Sequence, residues 1–209
     1  GRGHRPDMFN LKYKKPLTLL KREDIFEVSE RIDAEGKVLN QIDIENLDLI
    51  TNSIISQGYE AVAVSLLHSY INPNHEQIIK RRFLDTFDKI PIVLSHEVAP
   101  EWREYERTST TIASAYITPI VKNYILNLSK ELKKKNLKVP LYITQSNGGS
   151  MSSVQASEKA VLTLFSGPVG GVVGCREICR SIHEENMICI DMGGTSFDVS
   201  LIRNGQVPR

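Results

Sequence analysis

The sequence predicts an α/β fold on three observations. An apolar run stands at 61–67, a helical pattern opens at Asn72-Pro73-Asn74, and a second apolar run follows at 91–94. Strand, helix and strand at this spacing describe a βαβ unit, whose crossover is right-handed by rule. The run 61–67 (AVAVSLL) shows little polar alternation, as a buried parallel strand does. Near the other end, 187–202 (MICIDMGGTSFDVSLI) reads as two strands about a tight glycine turn.

The elements follow in order. Residues 1–22 are basic and irregular, with Pro6 and Pro16 blocking regular structure. His4 and Arg5 have the chemistry to approach an anion, and a solvated linker is the plainer reading. Residues 25–32 alternate as a strand, and 33–36 turn it into a hairpin with 37–39. Asp43 then caps a helix whose apolar positions Ile44, Leu47, Ile50 and Ile54 keep helical spacing, and Gly58 ends it. The next helix turns Ile78, Ile79, Phe83 and Phe87 inward. His68, His75 and His96 fall near strand and helix ends, but their spacing is that of no metal motif; capping and loop hydrogen bonds account for them better than a metal site does.

The run 101–107 (EWREYER) reads as a solvated helix face, with Arg103 and Arg107 near Glu104 and Glu106. Pro119 is expected to kink or restart the helix that continues to about Lys135, where Lys133–Lys135 suit the negative end of the helix dipole. Residues 141–144 form a strand ending at 145–150 (QSNGGS). This Gly-rich loop is either a ligand-facing loop at a strand's carboxyl end or a plain turn. Residues 160–164 read as one more strand. It enters a glycine-rich helix at 166–174 (SGPVGGVVG), with Ser166 or Gly167 as N-cap and Pro168 at the first turn. Gly170, Gly171 and Gly174 each cost such a helix about 1 kcal/mol relative to Ala. Close approach to another helix or to an anion offsets that cost.

The turn at 191–196 carries the chemistry. Alternation groups Ile188, Ile190 and Met192 on the buried face of a strand that delivers Asp191 to its tip. Gly193 and Gly194 admit positive φ and close approach of a ligand to the backbone N–H groups. Successive N–H groups form an anion-binding nest, to which Thr195 and Ser196 add hydroxyls. Asp191 repels a phosphate, so its role beside one is to hold Mg²⁺, directly or through water. An ordinary hairpin turn with a turn carboxylate is the plain alternative. Asn204-Gly205 predicts a further hairpin.

The chain has 209 residues, a net charge of +1 and three cysteines. That length allows one large or two small domains. The charge gives no argument for nucleic acid or an anionic membrane. No run of about 18 apolar residues offers a membrane span. An odd number of cysteines in apolar surroundings reads as reduced thiols of a cytoplasmic protein. Cys175 and Cys179 lie four apart on one helix face, where core packing explains them better than a metal set does.

A small-residue helix followed by hydrophobic-Asp-x-Gly-Gly-Thr-x-x-Asp-Val-Ser resembles the connecting helix and second phosphate loop of the actin, sugar-kinase and heat-shock-chaperone ATPases. More narrowly, residues 1–7 (GRGHRPD), 63–70 (AVSLLHSY), 103–110 (REYERTST), 145–149 and 166–174 resemble, in order, the hydantoinase A/5-oxoprolinase family, to which acetone carboxylase subunits are related.

The resemblance implies a fold: residues 1–105 as an α/β part of the family's amino-terminal region, and 106–209 as the start of an actin-like (ribonuclease H-like) ATPase domain. It implies a central piece of such a protein, without the family's first phosphate loop or adenosine-binding segment, so the isolated piece is not expected to hydrolyse ATP.

It also implies a function: ATP-dependent opening of a cyclic amide such as a hydantoin or 5-oxoproline, through a phosphorylated amide. The cofactors are then ATP and Mg²⁺, with Asp191 as catalytic and metal residue. Gly193, Gly194, Thr195, Ser196 and the loop Asn147, Gly148 and Gly149 hold nucleotide. Asp198 is expected in a structural or supporting place. A hydantoinase B-type subunit or fused domain is the implied partner. Acetone carboxylase-like ATP-dependent carboxylation, and a non-enzymatic nucleotide-driven module like actin or the chaperones, remain open beside it.

Overall fold

The computed structural model describes Lys12 and residues 18–207. The expectations for His4, Arg5, Pro6 and Pro16 lie outside the described residues. The chain divides into two compact units, Gly1–Ile120 and Val121–Arg209.

In the first unit, β1 (Arg31–Ile32) pairs antiparallel with β2 (Val38–Asn40) around a turn. There Asp33 Oδ1 accepts from the N–H groups of Glu35 (3.1 Å) and Lys37 (2.8 Å). The strand expected over 25–32 is thus two residues long. Phe26 and Val28 still point alternately into the core, but no second strand among the described residues pairs with residues 25–30.

α1 (Ile44–Ser56) starts where predicted, with the Asp43 carboxylate accepting from Asn46 N–H at 3.0 Å. Gly58, at φ +74°, ends it. β3 (Val62–Val64) and β4 (Ile92–Leu94) are parallel, with Val62 opposite Ile92 and Val64 opposite Leu94, and α2 (Asn74–Thr86) is the crossover between them. Leu47 and Ile54 of α1, Val64, Ile79 and Phe83 of α2, and Leu94 fill the core. α3 (Ser95–Val98) follows at once.

α4 (Glu104–Lys134) runs through Pro119 as one helix, so the proline neither ends nor restarts it. The missing proline N–H leaves the Ala115 carbonyl without its helical donor. The charged run at its start is not a solvated face throughout. Arg107 is 1 % exposed, and its guanidinium donates to the carbonyls of Glu101 (2.7 Å) and Leu66 (2.9 Å), to Ser95 Oγ (3.2 Å) and to Glu104.

In the second unit, β5 (Tyr142–Thr144) and β6 (Ser150–Ser152) form a hairpin. A capping box at Ser152 and Gln155 starts α5 (Ser153–Glu158). The apolar run at 160–164 is not a strand: Ala160–Thr163 makes a 3₁₀ turn, with Thr163 Oγ1 donating to Ala160 O at 2.7 Å. Short apolar runs fit a buried helical turn as well as a strand, and Ala160 is fully buried.

α6 (Ser166–Ser181) begins one residue earlier than capping chemistry suggests. Phe165, at φ +58°, is the N-cap, so neither Ser166 nor Gly167 takes that place. β7 (Met187–Met192) and β8 (Phe197–Ile202) form a six-pair antiparallel hairpin. Asn204 (φ +51°) and Gly205 (φ +70°) make the next tight turn, closed by Arg203 opposite Gln206.

Candidate functional site

The β7–β8 hairpin positions the candidate residues. Its alternation is as predicted but its buried face is the opposite one. Cys189 is 7 % exposed, whereas Ile188, Ile190 and Met192 are 65 %, 63 % and 76 % exposed. The cause is α6, which packs Cys179 and Cys175 against Cys189, Ile202 and Met187. Asp191, two residues beyond Cys189, therefore lies on the α6 side of the strand. Directly opposite it in the ladder is Asp198. Both carboxylates belong to exposed residues and neither has an ion pair among the described residues.

The turn between the strands is closed by Gly193 N–H donating to Ser196 O at 3.0 Å. That bond removes Gly193 from the set of free donors. The N–H groups of Gly194, Thr195 and Ser196, and the hydroxyls of Thr195 and Ser196, have no hydrogen-bond partner among the described residues. Neither glycine is at positive φ, so the turn geometry does not demand them. A Cβ on Gly194 would meet nothing within 4 Å. Space and open donors at this turn are what a phosphate group needs, and two carboxylates beside it are hard oxygen ligands suited to Mg²⁺.

The loop at 145–149 is a tight turn of its own. Gln145 N–H donates to Gly149 O (2.8 Å), and Asn147 Oδ1 accepts from Gly149 N–H (2.9 Å). The Asn147 oxygen is thus engaged within the loop. Gly148, at φ +85°, lies against α6: a Cβ there would stand 2.9 Å from Val173 Cγ2. Ser146 anchors the loop from the other side, its N–H donating to Leu162 O at 2.7 Å. Both loops are therefore seated on α6, Asn147–Gly149 against Val173 and the β7–β8 hairpin through the cysteines. No hydrogen bond joins one loop to the other among the described residues.

A second cluster escaped the sequence reading. Glu76, fully buried on α2, accepts from Leu66 N–H (3.0 Å), Ser95 Oγ (2.6 Å), His96 N–H (3.1 Å) and His96 Nδ1 (2.7 Å). Ser95 also meets Ser69 Oγ at 2.9 Å and Arg107. His75 pairs with Glu30 at 2.6 Å with both side chains buried. The three histidines thus do not converge: His75 and His96 each serve a different carboxylate. Partners 10 to 45 residues apart leave no periodic signal in the sequence.

Comparison with known proteins gives the family. Residues 107–209 match the Hydantoinase/oxoprolinase family and residues 1–87 its N-terminal region. Acetophenone carboxylase gamma subunit of Aromatoleum aromaticum is 32% identical over 92% of this chain and 27% of its own length. 5-oxoprolinase 1 of Arabidopsis thaliana is 34% identical over 96% of the chain and 17% of its own. The crystal structure of ATP-dependent caprolactamase from Pseudomonas jessenii superposes with a TM-score of 0.82 at 31% identity, over 95% of this chain and 29% of that one. The chain spans about a third or less of the length of these relatives. It belongs to the hydantoinase/oxoprolinase family and has that family's α/β, actin-like ATPase fold.

Proposed function

We propose that the protein carrying this chain is an ATP-dependent hydrolase that opens a cyclic amide. The observation that carries the reading is the turn at 194–196, where three backbone N–H groups and two hydroxyls stand open beside Asp191 and Asp198. Magnesium, when bound, neutralises phosphate oxygens and so lowers the barrier to their transfer. The two opposed carboxylates have the charge and oxygen donors to hold it, Asp191 first and Asp198 in support. Gly194, Thr195 and Ser196 donate to phosphate oxygens, and the missing Cβ of Gly194 lets those oxygens come close. Asn147, Gly148 and Gly149 line the same nucleotide site in this reading. The amide oxygen accepts the γ-phosphoryl group, and the carbonyl carbon becomes electrophilic enough for water.

Residues 1–105 are then the amino-terminal region and 106–209 the start of the ATPase domain. Relatives named as subunits support a partner, which we take to be a hydantoinase B-type chain. No helix among the described residues is long and apolar enough to cross a membrane, and three free cysteines suit the reducing cytoplasm, where we place the protein. A second reading, carboxylation of a ketone activated by the same loop, is favoured by the similarity to acetophenone carboxylase.

Phosphate release by the full-length protein with Mg-ATP decides between them. Stimulation by hydantoin, 5-oxoproline or caprolactam, lost in Asp191→Ala, supports the hydrolase. Stimulation only by a ketone with bicarbonate supports the carboxylase, and release indifferent to every small molecule refutes both.

A further inference from the structure

Three cysteines meet in one small core. Cys175 and Cys179 stand one turn apart on α6, and Cys189 faces them from β7, with Ile202 and Met187 completing the packing. All three are free thiols, but their access differs. Cys179 is fully buried and Cys189 is 7 % exposed, while Cys175 is partly open to solvent. Cys175 packs from α6 against the cluster that holds the Cys189 side chain.

We propose that Cys175 and Cys189 are a modification site, closing under peroxide-class oxidants into a reversible disulfide that staples α6 to β7. Geometry selects this pair. A disulfide needs Cβ atoms roughly 3.5–4.5 Å apart, whereas side chains one turn apart on a helix hold theirs about 5–6 Å apart. Cys175 and Cys179 therefore do not close without unwinding α6. Cys179 has no path to solvent, so the oxidant meets Cys175 first.

The chemistry balances in two steps. The Cys175 sulfur attacks one oxygen of hydrogen peroxide; the O–O bond breaks, leaving a sulfenic acid and one water. The Cys189 sulfur then attacks the Cys175 sulfur. The S–O bond breaks, and the hydroxyl departs with the Cys189 proton as a second water. Two thiols have lost two electrons and two protons, and the peroxide has become two waters. A dithiol such as dithiothreitol returns the electrons by exchange. Cys189 and Asp191 share one face of β7, so the staple restrains the strand that carries Asp191. That consequence, unlike the staple itself, rests on the role given to Asp191 above.

The three cysteines fall in separate tryptic peptides, 160–176, 177–180 and 181–203. The full-length protein is treated with hydrogen peroxide, its remaining thiols are alkylated, and the digest is read by mass spectrometry. The expected product is peptide 160–176 joined to 181–203, released by dithiothreitol, absent from Cys175→Ser and Cys189→Ser and retained in Cys179→Ser. A link from 160–176 to 177–180, or Cys175 carried to a sulfinic acid with Cys189 still reduced, overturns the proposal. Phosphate release should fall several-fold on oxidation of the native sequence, recover with dithiothreitol, and stay level in Cys189→Ser. A linked peptide with unchanged release overturns the coupling to Asp191. A reduced protein that releases no phosphate refutes the hydrolase reading, while the peptide map still decides the staple.

Discussion

Asp191 and Asp198 are direct partners across the β7–β8 ladder, two carboxylates side by side with no ion pair to either among the described residues. Like charges directly opposite destabilise an antiparallel pair. The arrangement therefore costs the free protein stability and favours anything positive that enters. Asp198→Asn should raise the thermal midpoint measured in EDTA, by no more than about 2–4 °C. With Mg-ATP the native sequence gains stability by mass action and Asp191→Asn gains little. Differential scanning fluorimetry in both conditions checks this. A midpoint for the native sequence that ignores Mg-ATP would count against the site.

Gly194 and Gly148 should separate function from fold. At Gly194 a Cβ meets nothing and φ is not positive. Gly194→Ala is therefore expected to leave stability within about 0.5 kcal/mol while weakening nucleotide binding at least several-fold. Gly148 is at φ +85°, and its added Cβ would press on Val173 Cγ2 at 2.9 Å. Left-handed backbone alone costs a side chain roughly 1–2 kcal/mol, so Gly148→Ala should lower stability by at least that much. Urea unfolding and nucleotide titration on the two variants test the contrast.

The contrast also shows what was legible in the sequence. Asp43, Gly58 and Asn204-Gly205 act on backbone groups within a few residues, so their chemistry reads directly from the chain. The turn at 193–196 reads for the same reason, closed by Gly193 N–H on Ser196 O. The face of β7 did not. Period-two alternation says which residues share a face, but only α6, a separate element, decides which face is covered. Residues 160–164 read as a strand, but Ala160–Thr163 is a 3₁₀ turn, because a short apolar run has no period to betray one. Arg107 lies beyond such reading, because burial of its guanidinium depends on carbonyls at Leu66 and Glu101 that no local pattern announces.

Arg107 and Glu76 give the largest expected stability losses. Each is buried and each satisfies several partners at once. Removing one member of such a buried charged network costs about 3–5 kcal/mol, which we expect for Glu76→Ala and Arg107→Ala. Arg107→Lys keeps the charge but not the planar fork that reaches two carbonyls and Ser95. It should recover only part of the loss, leaving about 1–3 kcal/mol. Equilibrium urea unfolding gives these differences, and a lysine variant as stable as the native sequence would show that the charge alone matters.

The outer face of the hairpin makes the last prediction. Ile188, Ile190 and Met192 pair across the ladder with Leu201, Val199 and Phe197, and each of the six is more than half exposed. A contiguous apolar face of this kind is rare on a free surface and marks an interaction site or an aggregation liability. The 209-residue chain expressed alone should accordingly bind an anilinonaphthalene dye at neutral pH while keeping its far-ultraviolet circular dichroism. Replacing Ile190 and Val199 with Thr keeps β-branched residues on the strands, so pairing persists. Dye fluorescence should then fall by about half or more with the thermal midpoint unchanged. If fluorescence falls only when the midpoint shifts, the dye reports loosened packing elsewhere and the face is not its site.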